Sequence, residues 1–104
     1  MTTFDKREEA FEKKFAQDEA LKFRATARRN KLLGLWAAEK LGLSGPDAEA
    51  YAKEVVLSGA SGHDVFSKIR TDFDAKGVAQ SDHQIQRTMD ELLQRAVAQV
   101  KTEA

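Results

Sequence analysis

The residues that break helices are concentrated in three short stretches of this chain. Gly, Pro and Ser make up four of the five residues in 42–46 and in 58–62, and a Gly begins and a Ser ends the stretch 77–81. A Gly accepts the left-handed backbone that ends many helices, and a Pro suits the first turn of the next one. The three stretches therefore predict helix junctions, and they divide the chain into four helical segments.

Two Ser residues in these stretches have the spacing of a capping box. Ser61 is followed by Asp64, and Ser81 is followed by Gln84. In a capping box the Ser hydroxyl and the side chain three residues later bond each other's backbone N–H groups. Both Ser residues are predicted to be N-caps.

Apolar residues recur at helical spacing between the breaks, so each segment has one face to bury. Because the connections are short, consecutive helices are expected to pack side by side. The sequence predicts an all-α protein, a small four-helix bundle. The apolar positions of its last three segments are Ala48, Tyr51, Ala52, Val55 and Val56; Val65, Phe66, Ile69 and Phe73; and Ile85, Met89, Leu92, Leu93, Ala96 and Val100.

The first segment is too long for its partners to cover. As one helix, Phe4 to Leu41 would extend about 57 Å, whereas the later segments would extend about 18 to 30 Å. Its second half carries an apolar stripe of Leu21, Ala25, Leu32 and Trp36, widened by neighbouring Leu and Ala residues. We therefore expect a long first helix whose N-terminal part projects or is disordered. The predicted organisation is an N-terminal partner-binding segment, residues 1–19, and a four-helix bundle, residues 20–104.

The N-terminal part is mostly charged but contains three aromatic residues, Phe4, Phe11 and Phe15. On a helix these rings fall within about 40° of one another, at about 100° per residue. Their stripe is rotated by about 70° from the Leu21 to Trp36 stripe by the same count. Such a set is typical of a helix that binds a groove on another protein. The alternative is that the rings fold back onto their own bundle.

A cluster of basic residues follows at the start of the second half, with no acidic residue among them. Arg24 and Arg28, at i, i+4 spacing, are expected to point the same way and to suit a phosphate, a nucleotide or an acidic protein groove. The alternative is ion pairing within the protein, with Asp72, Asp74 or Asp90 as partner. The full cluster is Lys22, Arg24, Arg28, Arg29 and Lys31.

Other chemistry has little support in the sequence. The 104 residues include 17 basic and 17 acidic ones and no Cys, so neither a general attraction to nucleic acid nor a thiolate metal site is expected. His63 and His83 have no third ligand at matching spacing. The carboxylates, among them Asp72, are expected on solvated faces. No apolar run has the length of a membrane span. We predict a cytoplasmic protein that is not an enzyme, with no catalytic and no metal-binding residues.

The chain resembles the zeta subunit family, small inhibitor proteins of the alphaproteobacterial F-type ATP synthase. The resemblance is strongest in the run from Phe23 to Ala38, FRATARRNKLLGLWAA, and most specific from Arg28 onward. It includes the N-terminal MTTFD and the later FEKKF. It continues through residues 47–56 and 77–100, and so covers nearly the whole chain.

The resemblance implies a non-catalytic regulatory inhibitor. Its N-terminal helix would insert at a catalytic α/β interface and block ATP hydrolysis, with the catalytic head of the ATP synthase, its α, β and γ subunits, as the partner. The protein would be peripheral to the inner membrane through that complex and a monomer when free. The inhibitory region maps by position onto residues 2–19, with Phe4, Phe11 and Phe15 as apolar anchors and Arg7, Glu8, Lys13 and Lys14 as polar contacts.

The resemblance implies no cofactor, although family members have been suggested to bind adenine nucleotides. No motif in this chain assigns residues to such a ligand. The alternative function is therefore a nucleotide- or anion-sensing helical bundle that uses the Lys22 to Lys31 basic cluster.

Overall fold

The computed structural model describes residues 19–103, and these form four α-helices. The predicted all-α four-helix architecture is confirmed. The N-terminal segment of the first helix, predicted to project or to be disordered, lies outside the described residues except for Glu19. The helices are α1 (Glu19–Lys40), α2 (Gly45–Ala60), α3 (Val65–Lys76) and α4 (Asp82–Glu103).

All three predicted breaks are helix junctions, and each begins with the same motif. After α1, α2 and α3 a Gly adopts a positive φ, at Gly42, Gly62 and Gly77, with values of 79°, 84° and 69°. In each case the next residue's N–H bonds back to the carbonyl five residues earlier, as from Val78 to Phe73 at 2.9 Å. This is the Schellman arrangement, which satisfies carbonyls left open at a helix end.

Of the two capping predictions, one is confirmed and one is wrong. Ser81 and Gln84 form the predicted reciprocal box, with bonds of 2.9 and 3.1 Å. The prediction for Ser61 is wrong, because Ser61 follows the last turn of α2 and Asp64 is the N-cap of α3. The Asp64 side chain accepts a bond from the Phe66 N–H at 3.0 Å. The extra residues between Ser61 and α3 complete the Schellman turn.

Helix α1 is the central element, since it packs along both α2 and α4, while the backbone of α3 approaches its neighbours at fewer points. The closest approach is between α1 and α2. A Cβ built on Gly34 would lie only 2.6 Å from the Cα of Ala52. The absence of a side chain at Gly34 is what lets the two backbones come this near.

The short α3 joins the core through large side chains. Phe73 is fully buried, and Trp36 of α1 lies against it with ring centroids 5.7 Å apart. The Tyr51 hydroxyl of α2 donates to Asp72 at 2.7 Å, and Lys68 bonds the same carboxylate at 3.1 Å. Burial, together with the Asp72 carboxylate, raises the pKa of Tyr51 above its ordinary value. Asp72 is therefore part of a polar link between α2 and α3, and the expectation of a merely solvated carboxylate is wrong.

The core confirms most of the apolar pattern in the last three helices. Leu93 is an exception at 37% exposure, because its neighbour Leu92 takes the core position. The buried apolar residues of these helices are Tyr51, Ala52, Val55, Val65, Ile69, Phe73, Ile85, Met89, Leu92, Ala96 and Val100.

The stripe predicted for α1 is only partly correct. Ala25 is buried, but Leu21, Leu32 and Trp36 are half-buried. Because α1 packs against two helices instead of one, its burial is spread around the helix and includes a polar residue and a Gly. The buried residues of α1 are Ala25, Asn30, Leu33, Gly34, Ala37 and Ala38.

Gly34→Ala tests the close crossing of α1 and α2. In an ordinary helix interior this change stabilises by roughly 0.5 to 1 kcal/mol. Here the new methyl would meet backbone, so we expect a loss of roughly 1 to 3 kcal/mol in the free energy of unfolding. Urea unfolding measures it, and a gain in stability would show that the helices separate without cost.

Candidate partner-binding surface

The residues predicted to bind the partner lie outside the described part of the chain. These are Phe4, Arg7, Glu8, Phe11, Lys13, Lys14 and Phe15, and their roles stay predictions. The structure does show the element that follows them. Residue Glu19 begins the described part of α1, and the basic cluster lies on the next three turns of that helix.

Arg24 and Arg28 do point the same way, as their i, i+4 spacing predicts. Both reach the carboxylate of Glu103 near the end of α4, at 3.9 and 2.8 Å. Arg28 also donates to the Gln99 side chain at 2.8 Å. These two cations therefore hold α1 against the last turns of α4. The acid that pairs with them is Glu103 and not one of the aspartates considered from the sequence.

Arg29 lies on a different side of α1 and is half-buried. Its Nε donates to the Oδ1 of Asn30 at 2.7 Å. Burial lowers the pKa of Arg29, and the nearby Asp90 carboxylate of α4 partly opposes that shift. Asn30 is itself only 3% exposed and lies close against Gly59 of α2. Arg29 and Asn30 thus belong to the polar part of the helix packing.

Lys22 and Lys31 are exposed, and neither has an ion-pair partner among residues 19–103. By helical spacing they lie about 180° apart around α1. Lys31 shares the side of Arg24 and Arg28, whereas Lys22 shares the side of Arg29. The five cations consequently form two groups on opposite sides of the helix, so they do not converge on one anion.

Phe23, which belongs to none of the predicted sites, is 69% exposed in the structure. It borders a shallow depression of about 150 Å³ between α1 and α2. We call this depression the Phe23 groove. It is lined mainly by Phe23, Ala27 and Asn30 of α1 and by Val56, Gly59 and Ala60 of α2. The only sequence signal was that Phe23 is out of phase with the apolar stripe of its own helix.

Within residues 19–103, no group of three His, Cys, Asp or Glu side chains has the geometry to hold a metal ion. Both His residues are exposed and separate, at the α2–α3 junction and at the start of α4. None of the four described helices combines the length and the apolar character needed to cross a bilayer.

Comparison with known proteins identifies one family. The family model described as ATPase inhibitor subunit zeta matches residues 1–99. A structure solved by NMR in solution is similar to this chain, with 40% sequence identity and a TM-score of 0.69. That similarity covers 81% of this chain and 99% of the other. No curated protein matches.

Glu103→Ala tests whether the carboxylate competes with external anions for Arg24 and Arg28. Because the Arg28–Glu103 pair is partly exposed to solvent, we expect the free energy of unfolding to fall by less than about 1 kcal/mol. The side-chain NMR signals of the two arginines should shift more on addition of ATP than in the wild type. Glu91→Ala, which frees the exposed Arg87, is the matched control. An unchanged ATP response would show that no anion competes with Glu103.

Proposed function

Because this chain belongs to the ATPase inhibitor subunit zeta family, we propose that it is a non-catalytic regulator that inhibits ATP hydrolysis by the F-type ATP synthase. The observation that carries the proposal is the extent of the family match. It begins at residue 1 and therefore includes the segment with the three aromatic rings as well as the helices behind it.

In this proposal residues 2–19 form a helix that inserts at a catalytic α/β interface of the head, next to γ. Phe4, Phe11 and Phe15 are its apolar anchors, and Arg7, Glu8, Lys13 and Lys14 make the polar contacts. The bundle behind them provides bulk and attachment. Inhibition requires no chemical reaction by this chain, because the bound N-terminal helix prevents rotation by occupying space.

The exposure pattern of α1 supports a partner outside the bundle for the three rings. Along a helix continued upstream, the rings would share the angular position of Lys22 and Arg29, and then of Leu33. Lys22 is exposed, Arg29 is half-buried, and only Leu33 is fully buried. On this side the bundle therefore covers α1 from about Arg29 onward. Rings placed further upstream on the same line would have no cover from the four described helices.

Directional inhibition follows from differential binding. A wedge changes the balance between rotational states only by the difference in its affinity for them. Rotation in the direction of hydrolysis would close the interface on the helix, whereas rotation in the direction of synthesis would open the interface and release it. ATP synthesis is then affected less than hydrolysis.

The alternative, an anion-sensing bundle, is less well supported by the geometry. Arg24 and Arg28 already bond Glu103, and the remaining cations of the cluster lie on two sides of α1. An adenine nucleotide therefore finds no single group of free cations within the described residues. The cluster is better suited to holding α4 and to shaping the charge of the surface.

Deletion of residues 2–18 tests the proposed function directly. The full chain should inhibit ATP hydrolysis by the purified ATP synthase. The protein that lacks residues 2–18 should not inhibit at all, because the inserting helix is missing. Circular dichroism of the deleted protein checks that the helices remain. If the deleted protein inhibits as well as the full chain, the wedge mechanism is wrong.

Substitution of Phe11 and Phe15 by Ala tests the anchors without removing the segment. We expect inhibition to weaken by about tenfold or more, as is usual for aromatic anchors of an interface. The midpoint of thermal unfolding of the free protein should hardly change, since the rings are proposed to bind another molecule. A marked drop in that midpoint, with inhibition unaffected, would instead assign the two rings to the protein's own core.

A further inference from the structure

The Phe23 groove is one part of a longer apolar surface between α1 and α2. Val56 borders two further depressions besides the groove, one reaching toward Arg24 and Arg28 and one reaching Lys53. The surface thus runs along both helices with Val56 at its centre. An aromatic ring that is more than two-thirds exposed at one end of such a surface is typical of an interaction site.

The edge of this surface carries mainly positive charge. Lys31 and Lys53 are exposed, and neither pairs with a carboxylate in the described part of the chain. Arg24 and Arg28 line the same depression as Lys31, and one carboxylate, Glu103, is shared between the two arginines. Among the described residues, Glu49 is the one acid that lines the depression next to Lys53. The binding partner that complements this surface has an apolar face with acidic side chains beside it.

We propose that this surface docks an amphipathic, acidic helix of the ATPase catalytic head, as a second contact beside the N-terminal segment. The inference rests on the proposed function. A groove between two packed helices accepts a third helix, whose apolar residues at i, i+4 spacing would lie against Phe23, Ala27 and Val56. The acidic residues of the incoming helix face Lys31 and Lys53.

The position of the groove supports the same partner for both contacts. Phe23 lies four residues after Glu19, which is one helical turn or about 6 Å along the axis. A protein that holds residues 2–19 is therefore within reach of the groove. Once one of two linked contacts has formed, the other forms at a high effective concentration. A weak second contact therefore strengthens binding considerably.

The test compares full-length variants in the hydrolysis assay. Phe23→Ala should raise the concentration needed for half-inhibition by about tenfold, because it removes the exposed aromatic anchor. Leu57→Ala is the matched control. Leu57 is 56% exposed on the same helix as Val56 but lies on the polar surface near Ser58 and His63. It should leave inhibition unchanged, and both variants should unfold at the wild-type temperature.

A charge pair tests the edge of the surface. Lys31→Glu should slow association with the ATP synthase severalfold at low salt, and the effect should fade as ionic strength rises. Arg95→Glu is the matched control, since Arg95 is exposed on α4 and lines none of the three depressions. Equal association rates for the two variants would contradict an acidic partner.

The outcomes separate this inference from the proposed function. If the wild type inhibits and Phe23→Ala inhibits equally well, the second contact does not exist while the proposed function stands. If the wild type does not inhibit, the proposed function fails first. If wild-type protein sediments with vesicles of anionic phospholipid, Phe23→Ala does not, and inhibition is equal, the surface binds a membrane and the proposal is wrong.

Discussion

The close crossing of α1 and α2 determines the rest of this bundle. Gly34 lets the backbone of α1 approach that of Ala52, and Gly59 of α2 leaves room for the buried side chain of Asn30. These contacts are made by small residues and one amide, so the two helices meet backbone to backbone. With α2 fixed on one side, α4 covers another side of α1, and the large side chains of α3 complete the core.

The same crossing explains which surface is left open. Beyond Asn30, toward the start of α1, the groove between α1 and α2 is lined by the small residues Ala27, Gly59 and Ala60, and no large side chain of residues 19–103 fills it. Phe23 lies beside this gap but remains mostly exposed. The core of the bundle is therefore complete without Phe23, and the apolar surface of the Phe23 ring is available to another molecule.

The sequence was sufficient to predict the helices, the Gly that follows each of the first three, and the buried faces of α3 and α4. Each of these helices buries a single stripe, so periodicity locates it, as for Ile69 and Phe73. The sequence was insufficient to locate the buried face of α1, because this helix lies between two others. There Asn30 and Gly34 occupy buried positions, and neither residue has a hydrophobic signal that periodicity could detect. The prediction of Ser61 as an N-cap was wrong for a different reason. The Schellman turn at the end of α2 uses the residues that a capping box would need.

The candidate site shows the same limit. Spacing along one helix was enough to predict that Arg24 and Arg28 act together, but Glu103 is 75 residues from Arg28 in the chain and could not be identified from local pattern. Once that carboxylate is in place, the charge of α1 divides into cations that stabilise the packing and lysines that have no ion-pair partner among residues 19–103. A chain with zero formal net charge thereby presents a positive edge beside an apolar groove. Local pairing, and not overall composition, determines what such a surface attracts.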